Sequence, residues 1–316
     1  MLRRATDLPS RSESIVRLFR AVGRWGYRHA HSAKDVLVAL ASLGHNPVRF
    51  NECLNRLERR YGRTWLRSYP PVVGFALSNY CNQRCRFCSL DLKQIARREV
   101  LPAELFAQMP WLRRVREIWL SGGAGDSLVH PEFARIVRGV RRLAPKSRLM
   151  VCTNGLGLSG ENLEATDHLD YLNISANAAC EATYGRLIKG GSFGRLLANL
   201  EALSRRRPPR LAVRLSMVLA RSAVGDVQPM IDLAARLKFD AVEIYPYFPI
   251  PPVDGALPVS EALHDDPEAW HAVRQLSEHA RQRGVGYIVA GEPLARCRAA
   301  NTVVAYPGAG GCSSPW

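Results

Sequence analysis

The sequence predicts an α/β protein whose main part is a partial (β/α)6, TIM-like barrel with an N-terminal helical extension. From residue 72 onward, short runs rich in β-branched and aromatic residues alternate with amphipathic helical stretches. Repeated strand–helix units of this kind form a parallel sheet with right-handed crossovers. No apolar run reaches the roughly 18 residues that a membrane-spanning helix needs, so no membrane span is predicted.

Six strands and a seventh candidate are predicted from apolar runs between polar or glycine-containing segments. They cover residues 72–78, 117–121, 148–153, 171–175, 212–219, 241–245 and 286–290. Helices are predicted between them over 131–143, 193–204, 227–237 and 267–283. Because ligands bind at the carboxyl ends of parallel strands, we expect the functional residues to follow these strands.

Three segments are predicted along the chain. They are a basic helical extension (1–70), the core barrel (71–250) and a C-terminal helix and strand segment (251–316). In the first segment, Ile15 to Trp25 has the apolar spacing of an amphipathic helix, and further helices are predicted over 33–43 and 50–65. Pro70 and Pro71 mark the boundary.

The formal net charge is +16, and basic residues outnumber acidic ones most clearly in residues 1–70. A basic face attracts nucleic acid, anionic lipid or an acidic peptide. A solvated, arginine-rich surface explains the same charge without any such partner, and we favour that interpretation. Charge alone therefore supports a nucleic-acid partner only weakly.

The cysteines indicate metal or redox chemistry in a reducing compartment. Eight are present, and three of them fall within eight residues. The basic start of the chain has no apolar stretch after it, so secretion is not predicted and a cytoplasmic location is expected. Of the scattered cysteines, Cys53, Cys152 and Cys180 are predicted to be small buried residues.

The clustered cysteines follow the first predicted strand. Cys81, Cys85 and Cys88 have C-x3-C-x2-C spacing, so a tight loop can turn three thiolates toward one point. Three ligands are one short for a structural zinc site or a fully ligated cluster. Either a distant residue supplies the fourth ligand, or one metal position is left open for a small molecule.

This loop, with Phe87 before its last cysteine, resembles the signature loop of the radical S-adenosylmethionine (SAM) superfamily. The resemblance implies a [4Fe–4S] cluster on Cys81, Cys85 and Cys88, with one iron open to SAM. It implies an enzyme that cleaves SAM reductively to a 5′-deoxyadenosyl radical, which abstracts a hydrogen atom from a substrate. A flavodoxin or ferredoxin is the electron donor that the family leads us to expect.

A glycine-rich turn after the second strand is similar to the turn whose backbone binds the SAM amino group in that family. The candidate residues are Gly122, Gly123, Gly125 and Asp126. Asp126 stands where the family usually has Glu, and Ser127 stands where it usually has Pro. Backbone contact with SAM is still expected, because glycine lets a ligand approach closely.

Further candidates follow the third and fourth strands. Asn154 lies in a Thr-Asn-Gly segment that family members often have, although an ordinary Asn-Gly turn also explains it. Ser175 and Asn177 resemble a family segment that contacts the SAM ribose or carboxylate, and an extended chain would point both to one face. Arg186 resembles a family arginine that would pair with the SAM carboxylate, unless it is a surface arginine.

Polar residues also alternate with apolar ones on the later strands. Arg214 and Ser216 share a face of the fifth strand, and Glu243 and Tyr245 share a face of the sixth. A buried charge needs a partner. The partner is either a ligand or another side chain in an intramolecular ion pair.

The end of the sequence, Cys312 to Trp316, resembles the opening of a SPASM or twitch extension. Such extensions hold auxiliary clusters with further cysteines. Cys297 and Cys312 alone cannot supply four thiolates, so we expect a truncated motif: either the sequence is a fragment or the extension has been lost.

The leading hypothesis is a radical SAM enzyme that acts on a peptide or protein, because relatives with this kind of ending mostly do so. A small metabolite or RNA is the alternative substrate. A non-catalytic iron–sulfur or metal-binding protein, or an inactive truncated paralogue, is the alternative to an enzyme.

Overall fold

We describe the protein from a computed structural model that defines residues 45–88, 97–121, 125–249, 255–263 and 265–290. The helices predicted before residue 45 and the motif that ends at Trp316 lie outside the described residues. Gly122 and Gly123 of the glycine turn do so as well.

A seven-stranded parallel sheet forms the centre of the molecule, in the order β1-β3-β4-β5-β7-β8-β9. The strands are β1 (Val72–Gly74), β3 (Glu117–Trp119), β4 (Arg148–Thr153), β5 (Tyr171–Ser175), β7 (Ala212–Leu219), β8 (Ala241–Pro246) and β9 (Gly286–Val289). Two short strands, β2 (Arg84–Cys85) and β6 (Ile188–Lys189), pair antiparallel outside it. Over the described residues the sheet is open, which confirms the predicted α/β class and partial barrel.

Seven α-helices connect or flank the strands in the described part of the chain. They are α1 (Pro47–Arg60), α2 (Phe133–Leu143), α3 (Gly160–Ala165), α4 (Glu181–Leu187), α5 (Phe193–Arg206), α6 (Val227–Arg236) and α7 (Pro267–Gln282). The four helices predicted between the strands are present within a few residues of their expected bounds. The helix predicted over 50–65 ends earlier, because Gly62 takes a left-handed backbone with φ of +59°.

Helix α1 is hydrogen-bonded to the segment that follows it. The Asn51 side chain donates to the Tyr69 carbonyl at 3.0 Å and accepts from the Tyr69 N–H at 2.8 Å. The buried Glu58 carboxylate accepts from the Ser68 hydroxyl at 2.6 Å, and Glu52 pairs with Arg116 at 3.0 Å. The described part of the N-terminal extension therefore packs on the sheet domain.

The two faces of the sheet differ in polarity. One face packs against the helices with fully buried apolar residues, such as Ile118, Val151, Leu172, Leu215 and Val242. The other face, which we call the polar face, carries Cys152, Asn173, Ser175, Arg214, Ser216 and Glu243. Strand register sets Cys152, Asn173 and Arg214 side by side, with Ser175, Ser216 and Glu243 in the next layer. No helix of the described residues is long and apolar enough to cross a membrane.

Candidate active site

The cysteine loop (residues 81–88) follows β1 and is fixed against helix α4. Its β2 segment pairs with β6, directly after α4, and the Arg86 N–H donates to the Leu187 carbonyl at 2.9 Å. The buried Gln83 side chain donates to the Tyr184 hydroxyl at 2.6 Å. Neither Gln83 nor Tyr184 was identified from the sequence, because nothing local pairs residues about a hundred positions apart. These contacts hold the loop in one position on the domain.

The sulfur of Cys81 accepts two N–H groups. The Gln83 backbone N–H and the Asn154 side chain each lie 3.4 Å from it. The Asn154 side chain also donates to the Asn82 side-chain oxygen at 2.7 Å. Asn154, predicted from its Thr-Asn-Gly segment, therefore lies against the cysteine loop, and its N–H favours a thiolate at Cys81.

The pKa values of Cys81 and Cys85 depend on burial and on the charge of the neighbouring thiols. Burial raises the pKa of Cys85, and negative charge on Cys88 and Cys81 raises that pKa further. Burial also raises the pKa of Cys81, and the hydrogen bonds to its sulfur oppose the rise only in part. Positive charge from bound iron would reverse this preference, because a thiol that coordinates a metal is deprotonated.

The donor set suits an iron–sulfur cluster. Across the described residues, no three His, Cys, Asp or Glu side chains are grouped to hold one metal ion. A [4Fe–4S] cluster binds each thiolate to a different iron, so its cysteines lie farther apart than the ligands of one ion. Three soft thiol donors on one loop, with N–H donors to the Cys81 sulfur, have the chemistry that a cluster requires of its ligands.

Asp126 connects the glycine turn to the end of β4. Its buried carboxylate accepts from the Thr153 hydroxyl at 2.9 Å, the Asn154 N–H at 2.6 Å and the Leu128 N–H at 2.9 Å. Its own N–H donates to the Tyr80 carbonyl at 3.0 Å. Burial raises the pKa of this carboxyl, and the three donors oppose the rise. The side chain thus fixes the turn, a role that the sequence did not indicate.

Gly125 packs against the residues that precede the cysteine loop. Its backbone is left-handed, with φ of +73°. A Cβ at this position would overlap the Tyr80 carbonyl oxygen and lie 2.6 Å from that of Ser78. Only glycine fits, so the turn and the loop are packed backbone to backbone.

Ser175 and Asn177 take different positions. Ser175 ends β5 on the polar face, where its hydroxyl lies 3.8 Å from the Cys152 sulfur and 3.4 Å from the Ser216 hydroxyl. The expectation that Asn177 shares this face is wrong, because its φ of +62° takes it out of the extended conformation. Its buried side chain donates to the Ser175 carbonyl and accepts from the Val218 N–H.

Arg186 on α4 is directed toward the loop before α6. Its guanidinium donates to the Thr183 hydroxyl at 3.1 Å and to the Ser222 carbonyl at 3.0 Å. These contacts account for its position without a ligand. Phe87 is partly buried and packs against the apolar core.

Arg214 and Glu243 form an ion pair across β7 and β8 on the polar face. The guanidinium also lies over the Tyr171 ring, 5.0 Å from its centroid. Of the two possibilities that the sequence left open, the structure shows the intramolecular pair.

The remaining described cysteines differ from one another. Cys53 is buried in α1, as predicted. Cys152 is partly exposed and Cys180 is exposed, so the prediction that both are buried is wrong. Cys152 lies on the polar face because β4 points alternate side chains away from the helices.

Comparison with known proteins agrees with this arrangement. The family model described as "Radical SAM superfamily" matches residues 75–234, about half of the chain. The chain belongs to the radical SAM superfamily. Enzymes of this superfamily use a [4Fe–4S] cluster and SAM, which confirms the predicted cofactors at the level of the family.

Curated relatives of this radical SAM protein have different substrates in their names. PqqA peptide cyclase of Streptomyces rochei is 28% identical over 185 residues, covering 55% of this chain and 49% of the relative. GTP 3′,8-cyclase of Microcystis aeruginosa is 30% identical over 130 residues, covering 38% of each chain. The chain thus spans about half or less of the length of these relatives.

Solved structures share the fold. Streptococcus suis SuiB bound to its precursor peptide SuiA has a TM-score of 0.58 at 15% identity, covering 77% of this chain and 54% of SuiB. The structure of anSMEcpe with bound AdoMet has a TM-score of 0.52 at 13% identity, covering 69% of this chain and 64% of the other. At these identities the likeness supports the partial barrel alone.

Proposed function

We propose that Cys81, Cys85 and Cys88 hold a [4Fe–4S] cluster and that the protein cleaves SAM reductively beside it. The observation that carries the proposal is the joining of the cysteine loop to the glycine turn and to the end of β4, through Asn154 and Asp126. The cluster and SAM together supply a carbon radical that abstracts a hydrogen atom from a substrate.

The protein's own residues position and shelter this chemistry. Asn154 orients Cys81 through its side-chain N–H, and Asp126 fixes the turn that contains Gly125. We assign SAM contact to the backbone of residues 122–126 and to Ser175, whose hydroxyl lies on the polar face. Asn177 and Arg186 have protein partners, so they act on SAM only by shaping the ends of their elements.

The test is anaerobic reconstitution with iron and sulfide, followed by dithionite and SAM, with 5′-deoxyadenosine as the readout. We expect the wild type to release 5′-deoxyadenosine and Cys85→Ala to release none. Cys180→Ser is the matched control, because this exposed thiol lies outside the loop, and it should behave as wild type. Zinc binding without cluster formation, or an intact cluster that leaves SAM uncleaved, would contradict the proposal.

An acidic redox protein, a flavodoxin or ferredoxin, is the proposed electron donor. An open cavity beside Cys81 is lined by Arg84, Arg98 and Lys189, which make its rim positive. Positive charge at this point favours the approach of an acidic partner. Cluster reduction by flavodoxin should slow with added salt and in Lys189→Glu, while reduction by dithionite should respond less to the substitution. Equal responses would count against this docking site.

A peptide is the proposed substrate. Support comes from the likeness to a peptide cyclase over 55% of the chain and to a structure that contains a precursor peptide. The likeness to GTP cyclases covers less of the chain, and GTP is the second candidate. Short peptides encoded beside the gene should stimulate 5′-deoxyadenosine release, and stimulation by GTP instead would reverse the choice. We also propose a cytoplasmic location, since cluster thiols need reducing surroundings.

A further inference from the structure

Cys152 is a thiol on the polar face that the proposed SAM chemistry does not use. It precedes Asn154 by two residues on β4, and Asn154 contacts the Cys81 sulfur. The thiol is thus close in sequence to a residue that contacts the cysteine loop, and it lies on the same sheet face as Ser175.

The surroundings of this thiol contain an unsatisfied polar group. The Asn173 side-chain N–H donates to the Cys152 sulfur at 3.4 Å and to the Ser216 hydroxyl at 3.1 Å. Asn173 is only 9% exposed, and its side-chain oxygen has no hydrogen-bond partner among the described residues. A buried acceptor without a partner is costly, and an N–H or O–H group of a ligand would satisfy it.

We propose that Cys152 is a hydrogen-atom donor to a carbon radical of a substrate bound on the polar face, with the Asn173 oxygen accepting an N–H of that substrate. The inference rests on the proposed radical SAM function and adds a second reacting group to it. An amide N–H beside the reacting carbon, as in a peptide, is the chemical class that suits this acceptor.

Hydrogen-atom transfer from Cys152 conserves atoms and electrons. The S–H bond of Cys152 breaks homolytically, a C–H bond forms on the substrate, and the unpaired electron passes to sulfur. One electron from the reductant that feeds the cluster and one proton from water restore the thiol. The substrate returns to its original oxidation level, because the hydrogen atom that it lost is replaced.

The environment keeps Cys152 in the form that this step needs. Burial raises the pKa of the thiol, as do the charges of Asp126 and Glu243, so sulfur keeps its proton at neutral pH. An S–H bond is weaker than most C–H bonds, whereas the O–H bond of serine is stronger. Cys152→Ser thus preserves shape and removes the hydrogen-atom donor.

The first test needs no substrate. The reconstituted full-length protein is given dithionite and SAM in D2O without added thiols, and the deuterium content of the 5′-deoxyadenosine is measured by mass spectrometry. If the Cys152 S–D group is within reach, the wild type and Cys180→Ser yield product with one deuterium. In the 5′-deoxyadenosine that Cys152→Ser releases, deuterium should fall to natural abundance.

The outcomes separate this inference from the proposed function. Release of undeuterated 5′-deoxyadenosine by the wild type would leave the SAM chemistry standing and overturn the role of Cys152. Deuterium that persists in Cys152→Ser would do the same. No 5′-deoxyadenosine at all would overturn both.

A second test does not depend on turnover. Alkylation of each cysteine of the full-length reconstituted protein by N-ethylmaleimide is followed by peptide mass spectrometry, with and without S-adenosylhomocysteine. We expect S-adenosylhomocysteine to slow labelling at Cys152 and not at Cys180. Equal labelling of Cys152 with and without the compound would place the thiol away from bound SAM and overturn the inference.

Discussion

Asp126 shows how one side chain can organise the ends of neighbouring strands. Its carboxylate receives three different donors, two of them from the Thr153–Asn154 segment. Asn154 in turn contacts the Cys81 sulfur, so a single residue links the carboxylate to the cysteine loop. Changes at Asp126 or Gly125 should therefore reach the cluster site without touching a cysteine.

Gly125→Ala should destabilise the protein and prevent correct placement of the cysteine loop. The left-handed backbone alone costs a Cβ-bearing residue about 1–2 kcal/mol. Overlap with the Ser78 and Tyr80 carbonyls adds to this. Gly62→Ala is the matched control, because Gly62 has φ of +59° but a Cβ added there would meet no other atom within 4 Å. Urea unfolding and iron content should separate them, and equal losses in both would contradict the close packing.

Asp126→Asn should change how stability depends on pH. Because burial raises the folded-state pKa above 3.8, the native protein keeps this proton where the unfolded chain has lost it. The contribution of Asp126 to the free energy of unfolding therefore falls as pH rises from about 3.8 to the raised value. The variant has no carboxyl at this position, so its free energy of unfolding lacks this pH-dependent decrease. A poorly placed amide lowers that free energy by about 1–3 kcal/mol. Urea unfolding at several pH values measures the difference, and parallel curves would refute it.

At the scale of single residues, the sequence identified those site residues that lie in a motif of fixed spacing or in a characteristic turn. C-x3-C-x2-C spacing marked the cysteine loop, and Asn154 was found from its segment. The sequence did not predict the side-chain hydrogen bonds of Asp126 and Gln83, because their partners are distant in sequence. The predicted position of Asn177 is wrong because the backbone does not stay extended beyond the end of β5. Long-range contacts and backbone reversals are the features that a single sequence conceals.

Among the elements, the β2–β6 pair and helix α4 act as a clamp on the cysteine loop. Each of these strands has two residues, too few for an alternating pattern to predict them. The Gln83–Tyr184 hydrogen bond strengthens the clamp, and burial raises the pKa of Tyr184 to about 12, so its hydroxyl stays neutral. The seven sheet strands, by contrast, have three to eight residues and were predicted from their composition.

Tyr184→Phe should loosen this clamp. The buried Gln83 amide would lose its partner, which costs about 1–3 kcal/mol of unfolding free energy. Tyr287→Phe is the control, because its hydroxyl bonds the Val273 carbonyl on the other side of the domain. Both variants should lower stability, but only Tyr184→Phe should speed alkylation of Cys85 in the cluster-free protein. Unchanged alkylation would show that the bond does not restrain the loop.

At the scale of the whole molecule, the sheet separates two environments. Its helix-facing side is apolar and forms the core, while the polar face carries hydrogen-bonding groups and the Arg214–Glu243 ion pair. Alternation along the strands predicted that Arg214 and Ser216 share a face. It did not show which face packs against the helices, because that depends on how the elements assemble. The polar face is therefore a property of the assembled sheet.

Glu243→Gln should test how far this face depends on its ion pair. The Arg214 and Glu243 side chains are 16% and 10% exposed, so the substitution leaves a largely buried guanidinium without its carboxylate. Breaking one partner of a buried pair costs about 3–5 kcal/mol. The double variant Arg214→Met, Glu243→Gln should recover part of that loss, because the buried positive charge is gone.

Glu278→Gln is the surface control. The Glu278 and Arg281 side chains are 55% and 74% exposed, so their ion pair should contribute little to stability. Urea unfolding of the wild type, Glu243→Gln, Arg214→Met and the double variant gives the coupling energy. A Glu243→Gln loss no larger than that of Glu278→Gln would mean that water screens the charge on this face.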